Sequence, residues 1–266
     1  MSELTLLQDI LALLSGGAVG FSLGLVGGGG SVLAVPLLVY VVGVKDPHVA
    51  IGTSAFAVAV SAAVNLITHF RSGNVKFRCA IAFAVFGILG AAIGSTVGKA
   101  IDGQSLLALF GVVMIAVGLS FARRPAEIGE PDVRLDMSSA RTLLPRIAPV
   151  ALGVGFLAGF FGIGGGFLIV PGLVFSTGMP LLNAVGSSLL SVTTFGLTTA
   201  ANYSISGLVD WWVAFLLIIG GALGGIGGVA ASKHLANKKP GLSYAFAAIV
   251  VVVGVYVVWR GVQALL

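Results

Sequence analysis

Long apolar stretches separated by short polar loops dominate the chain. Six of them approach the roughly 20 residues that a helix needs to cross a bilayer. They cover residues 4–23, 49–70, 77–98, 183–203, 211–231 and 244–265. A transmembrane barrel would instead show alternating apolar and polar residues in segments of about ten. The pattern therefore predicts an all-α polytopic membrane protein.

Two shorter apolar segments follow glycine-rich runs. Residues 31–44 would form about 21 Å of helix, whereas the hydrocarbon core of a bilayer is about 30 Å thick. Residues 167–179 are as short, and so is the segment 147–161 before them. We expect both glycine runs to be non-helical backbone inside the membrane. Protein or a water-filled cavity must then cover them, because unsatisfied peptide groups in lipid cost several kcal/mol each.

The second half of the chain repeats the first at an offset of 135 and then 134 residues. Pro36 thus aligns with Pro171, and Gly73 aligns with Gly207. Repeats this long are not solenoid units. In an apolar chain, two halves that each carry a glycine-rich break suggest a transporter whose site lies where the halves meet.

The composition is typical of a membrane protein, and the distribution of charge predicts its topology. Hydrophobic residues make up 58% of the chain and charged residues 9%, against about 25% charged in ordinary globular proteins. Eleven of the 14 Lys and Arg residues lie in three loops, near residues 71–78, 123–146 and 233–239. The positive-inside rule places these loops in the cytoplasm and both termini outside.

This scheme requires each half to cross the membrane an odd number of times. We therefore predict two inverted-topology repeats of about five helical segments each, with broken or short helices at the glycine runs. The first repeat covers residues 1–121, a cytoplasmic linker 122–146, and the second repeat 147–266. The net charge of +5 then reflects topology and not a nucleic-acid partner. No cofactor or metal is expected, and the lone Cys79 is interpreted as a small core residue.

The glycine runs predict an anion site. Their N–H groups carry no side chains to screen them, and each run leads into a helix start where N–H groups lack acceptors. The residues concerned are Gly27, Gly28, Gly29, Gly30, Gly164, Gly165 and Gly166. The alternative is that glycines only allow close helix packing, the role we expect for Gly90, Gly94 and Gly98 and for Gly220, Gly224 and Gly228.

Polar side chains complete the predicted substrate site. Hydroxyl groups near helix starts can bind an oxyanion or cap the helix, and an amide inside an apolar run needs a partner or a cavity. These candidates are Ser31, Thr53, Ser54, Asn65, Ser187, Ser188 and Asn202. His69 is a candidate proton carrier, although an interfacial position beside the Arg71 loop is the simpler interpretation.

The glycine motifs identify a family. The segment from Gly24 to Ser31 with Pro36, followed by residues 50–54, and the matching residues 159–171 and 184–188, resemble the TauE/SafE family of membrane transporters. The resemblance implies export of sulfite or small organosulfonates across the bacterial cytoplasmic (inner) membrane. The expected partners are thus a small anion and the lipid bilayer.

No carboxylate falls in the middle of a predicted span to bind sodium or relay protons. An anion leaving a negative interior releases about 2.3 kcal/mol per charge per 100 mV, so export needs no coupling ion. We expect alternating access between the halves and no enzymatic activity. An anion channel is the main alternative. An intramembrane hydrolase using Ser31 and His69 is disfavoured, since Ser31 lacks the Gly-x-Ser-x-Gly frame and aligns with Gly166 in the repeat.

Overall fold

The computed structural model describes residues 5–123, 137–162, 166–234 and 239–265. These ranges are helical apart from short connections, and the predicted all-α fold is confirmed. The helices are α1 Leu6–Val26, α2 Ala34–Pro36, α3 Pro47–Arg71, α4 Phe77–Lys99, α5 Gly103–Arg123, α6 Met137–Phe161, α7 Gly166–Thr177, α8 Leu181–Ile205, α9 Trp211–His234 and α10 Lys239–Leu265. Within these ranges, six helices are long and apolar enough to span a membrane. Residues 124–136 of the predicted linker lie outside the described part.

The outer surface carries stripes of exposed apolar side chains. On α4, Ile81, Val85, Leu89 and Ile93 are each more than half exposed. Residues four apart lie on one face of a helix, so this face would be unstable in water and fits contact with lipid tails.

The duplication is visible in the helix bounds. Helices α3 and α8 both have 25 residues and begin and end 134 positions apart. Each is followed by a glycine with positive φ, Gly73 at 72° and Gly207 at 70°. Only glycine adopts this backbone conformation without strain, so the same turn closes both helices.

Glycines let the helices pack at backbone contact. A Cβ added at Gly20 of α1 would overlap the backbone of Gly221 in α9, and one at Gly94 of α4 would overlap the carbonyl oxygen of Phe156 in α6. The six glycines predicted to serve packing all meet neighbouring backbone in this way, which confirms that prediction. The α1–α9 and α4–α6 contacts each join a helix of the first half to a helix of the second half.

The central pair, α3 and α8, runs antiparallel. Gly52 near the start of α3 packs against Tyr203 and Leu208 at the end of α8, whereas Gly186 near the start of α8 packs against Asn74 after the end of α3. Helices α5 and α10 also run antiparallel, and Gly111 of α5 packs against Gly254 of α10.

The first glycine run forms a sharp reversal. Helix α1 ends at Val26, and Gly30 then lies against the backbone of Ser22 and Leu23. At the far end, Gln8 Nε2 donates to the carbonyl oxygen of Val42 at 3.2 Å. Residues 27–42, here called the folded-back segment, therefore run antiparallel to α1 along most of its length.

The prediction of non-helical backbone is wrong for this run. The folded-back segment is helical throughout, as a 3₁₀ helix Gly27–Leu33, then α2, then a π-helix Leu37–Val42. A 3₁₀ helix pairs backbone N–H and C=O groups three residues apart, which reduces the number of unsatisfied peptide groups at the reversal. In the second half, α6 ends at Phe161 and Gly162 turns the chain with φ 66°.

Candidate functional site

The described residues that flank the two glycine runs, Gly24 and Gly162, lie at different levels of α3. Gly24 packs against Gly225 of α9, and Gly225 also contacts the Asn65 amide, so the first run lies near the level of Asn65 on α3. Gly162 packs against the side chain of Ile51, near the other end of α3. At 1.5 Å per residue the two levels are separated by about 20 Å. A small anion cannot contact Gly24 and Gly162 at once. Gly164 and Gly165 lie outside the described residues, and Gly166 is the first residue of α7.

Thr53 and Ser187 make the same bond in the two repeats. Thr53 Oγ1 accepts a hydrogen bond from the backbone N–H of Asp210, and Ser187 Oγ accepts one from the backbone N–H of Lys76, each at 2.9 Å. Asp210 and Lys76 immediately precede α9 and α4. Both hydroxyl groups therefore satisfy N–H groups at the start of a helix in the other half.

Ser54 and Ser188 form a second equivalent pair. Ser54 Oγ donates to the Ile51 carbonyl oxygen at 3.0 Å, and Ser188 Oγ donates to the Val185 carbonyl oxygen at 2.8 Å. Each hydroxyl proton is thus directed at its own helix. To donate to an anion, either serine would first have to break this bond.

The two asparagines are near opposite ends of the antiparallel pair. Asn65 is buried, and its Nδ2 donates to the Ser61 carbonyl oxygen at 3.0 Å. Asn202 is partly exposed, and its Nδ2 donates to Ser95 Oγ at 2.7 Å and to Thr96 Oγ1 at 2.9 Å. The structure does not bring these amides together.

Sequence reasoning missed Lys99, which completes the polar cluster around Asn202. Its Nζ donates to the carbonyl oxygen and Oδ1 of Asn202, at 2.9 and 2.7 Å, and to Ser206 Oγ at 2.8 Å. All three acceptors are neutral oxygens. The ammonium also lies 5.8 Å from the ring centroid of Tyr203. A lysine at the end of an apolar span is the signal that could have indicated this cluster.

Ser31 and His69 are both buried inside the protein. Ser31 is fully buried in the 3₁₀ helix, and His69 is 6% exposed in the last turn of α3. The side chain of His69 thus lies within the helix bundle, although the neighbouring Arg71 is exposed.

A small cavity lies between α1, α3, α9 and the folded-back segment. Its volume is about 10 Å³, and Ser54, Ser61 and Ala34 are among the residues in its wall. This space suits at most one water molecule. At the equivalent positions of the second repeat, Phe195 replaces Ser61 and Ile169 replaces Ala34. The lining of this cavity is therefore specific to the first repeat.

The carboxylates of the described residues lie at one end of the helix bundle, together with Lys45 and Lys99. Asp46, Asp102 and Asp210 each accept backbone N–H bonds at the starts of α3, α5 and α9, which lie at one end. Hydrogen bonds, above all from the Ser105 backbone N–H, hold the pKa of the Asp102 carboxyl below its ordinary value of 3.8. Arg71, Lys76 and Arg78 lie at the opposite end of α3. We call these the acidic end and the basic end.

Long apolar helices, lipid-compatible surfaces and two repeated halves define a multi-pass helical membrane protein. The chain belongs to the sulfite exporter TauE/SafE family, whose model matches residues 12–257. The predicted resemblance is thereby confirmed, and the protein is a membrane transporter of this family.

Curated relatives agree with this assignment. A probable membrane transporter protein of Xylella fastidiosa strain 9a5c is 51% identical over 97% of both chains. The probable membrane transporter protein YunE of Bacillus subtilis strain 168 is 27% identical over 95% of this chain and 97% of its own. A further one from Methanocaldococcus jannaschii is 31% identical over 74% of this chain and 71% of its own. No solved structure matches.

Proposed function

We propose that this transporter exports a small anion of the sulfite or organosulfonate class across the bacterial cytoplasmic membrane, by alternating access between two inverted repeats. The family's description as sulfite exporters supports the substrate class. The observation that carries the mechanism is the antiparallel packing of α3 on α8. Two equivalent helices that run in opposite directions are what inverted halves require.

The distribution of charge supports the orientation. Cytoplasmic loops of membrane proteins are enriched in Lys and Arg. We infer that the basic end, with Arg71, Lys76 and Arg78, faces the cytoplasm and that the acidic end faces outward. Asp9 Oδ1 accepts a hydrogen bond from Trp212 Nε1 at 3.0 Å, which places the start of α1 at the acidic end as well. Both termini are therefore proposed to be outside.

The different levels of Gly24 and Gly162 bear on how the two glycine runs could bind an anion. We propose that the two runs bind the anion one after the other, since about 20 Å lies between the levels of the flanking residues Gly24 and Gly162. Gly27, Gly28, Gly29 and Gly30, with Ser31 and Asn65, would serve the cytoplasmic side. Gly164, Gly165 and Gly166 would serve the outer side, where Asn202 and Lys99 also lie. Thr53, Ser54, Ser187 and Ser188 would border the route between them.

Flux measurements on reconstituted protein test this function. Vesicles loaded with sulfite should lose it in a saturable manner, and an interior-negative potential should accelerate the loss because charge leaves. A short alkylsulfonate is tested as the second proposed substrate, and sulfate and acetate serve as comparison anions. Absence of sulfite and sulfonate flux would overturn the proposal, and a flux that never saturates would indicate a channel. A flux that ignores the potential and follows a pH gradient would replace electrogenic export by proton coupling, with His69 as the first candidate carrier.

A further inference from the structure

Helix α8 contains three buried hydroxyl groups that have no hydrogen-bond partner. They are Ser191 Oγ, Thr199 Oγ1 and Tyr203 Oη, and all three residues are 0% exposed. A buried hydroxyl without a partner lowers the stability of the folded protein, because it loses its hydrogen bonds to water and gains none. Three such groups on one helix demand an explanation other than stability.

The three hydroxyl groups share one face of the helix. Their spacing of eight and four residues keeps them within about a third of the helix circumference, along about 18 Å of its length. Phe195 lies on the same face between Ser191 and Thr199, and its ring stacks on Phe83 at 6.4 Å between centroids. We call Ser191, Thr199 and Tyr203 the hydroxyl stripe. In this conformation, neighbouring side chains shield the stripe from solvent.

Other hydroxyl groups of α8 are satisfied within the helix. Thr193 Oγ1 donates to the Leu189 carbonyl oxygen and Thr198 Oγ1 donates to the Thr194 carbonyl oxygen, each at 2.8 Å. A helix can therefore satisfy its threonines through the carbonyl one turn earlier. Thr199 is not satisfied in this way.

The equivalent helix of the first repeat, α3, lacks these hydroxyl groups. The residues of α3 equivalent to Ser191, Thr199 and Tyr203 are Ala57, Asn65 and His69. The α3 stripe thus contains no hydroxyl group, and the Asn65 amide has a backbone partner. Of these two equivalent helices, only α8 carries the stripe of hydroxyl groups.

We propose that the hydroxyl stripe of α8 carries the transported oxyanion through the middle of the helix bundle, in conformations more open than this one. This inference rests on the proposed export function. Neutral hydroxyl donors suit a passing anion, because hydrogen bonds without a cationic partner hold it less tightly and allow release. Lys99, beside the Tyr203 ring at the outer end of the stripe, adds a positive charge that draws the anion outward.

Substitutions that remove only the hydroxyl group test the stripe. They are Ser191→Ala, Thr199→Val and Tyr203→Phe, measured for sulfite flux in vesicles and for thermal unfolding in detergent. Each should lower flux about tenfold or more, because a hydrogen bond to a charged group is lost. Each should leave the unfolding temperature unchanged or raise it, because an unsatisfied polar group disappears. If a hydroxyl group had only a structural role, its removal would leave flux unchanged and lower the unfolding temperature.

Thr193→Val and Thr198→Val are the matched controls on the same helix. They remove a satisfied hydroxyl, so flux should stay within about twofold of the original protein while stability falls slightly. Unchanged flux in all three stripe variants of an active transporter would overturn the stripe alone, and so would a lowered unfolding temperature with unchanged flux. If the original protein moves neither sulfite nor a sulfonate, the proposed function itself fails.

Discussion

The hydroxyl group of Thr53 on α3 accepts a hydrogen bond at 2.9 Å from the backbone N–H of Asp210, the residue before α9. Ser187 and Lys76 repeat this bond at the other end of the bundle, at the same distance. The same position of the repeat thus holds an acid at one end and a base at the other. The bond is structural and common to both halves, whereas the charge of the residue that donates it differs between the two ends of the bundle.

Removing either hydroxyl group should destabilise the protein. Thr53→Val or Ser187→Ala leaves a backbone N–H at a helix start without its partner, which costs about 1–3 kcal/mol. Thermal unfolding in detergent measures the loss. The two sites are far apart, so the double variant should show the sum of the single effects. An unchanged unfolding temperature in both single variants would contradict the structural role.

Glycines two residues apart on α6 should respond oppositely to alanine. A Cβ added at Gly155 would overlap the backbone of Gly87 in α4, so Gly155→Ala should force the helices apart and cost about 1–3 kcal/mol or more. A Cβ added at Gly153 meets nothing within 4 Å. Gly153→Ala should be neutral or stabilising by up to about 1 kcal/mol, because alanine favours helix. Equal effects in unfolding assays would argue against the α4–α6 contact.

Acid should weaken the start of α5 through Asp102. Its carboxyl has a pKa below the ordinary value in the folded protein, so the stability it contributes is present above about pH 4 and is lost as pH falls through the lowered pKa. Asp102→Asn should flatten the part of the stability profile below pH 4. Unfolding temperatures of the original and variant proteins between pH 7 and pH 3 provide the measurement. Parallel profiles would show that this carboxyl makes no difference.

Single cysteines should reveal the orientation of the two ends. In a Cys79→Ala background, Ala100→Cys places a thiol in the exposed loop before α5 at the acidic end, and Ser72→Cys places one after α3 at the basic end. A membrane-impermeant maleimide applied to intact cells should label the first variant only. Labelling of Ser72→Cys alone would reverse the proposed topology. Permeabilised cells, in which both thiols should react, provide the control.

Much of the architecture follows from hydrophobicity and self-similarity alone. The apolar runs 49–70 and 183–203 predicted α3 and α8 to within two residues at each end, because lipid imposes both the length and the polarity of a span. Gly94 and Gly224 were also recognisable as packing residues from their spacing. These signals are local, so a single sequence contains them.

Tertiary relationships were not accessible in this way. The partner of Thr53 is the backbone of a residue 157 positions away, and a backbone N–H has no sequence signature. The 3₁₀ helix at Gly27 was missed because glycine permits both a loop and a tight helix, and packing against Ser22 decides between them. Tyr203 and Thr199 look like ordinary interfacial or core residues until their missing hydrogen bonds are seen.

The contact between Gly20 and Gly221 has a consequence for biosynthesis. Helix α1 leaves the ribosome well before α9, because the glycines of α9 that cover its glycine groove are translated about two hundred residues later. Until α9 is inserted, lipid or the insertion machinery must fill the glycine groove of α1 in the bilayer. Truncated messages ending before α9 should therefore yield chains that insert but are cleared by membrane proteases.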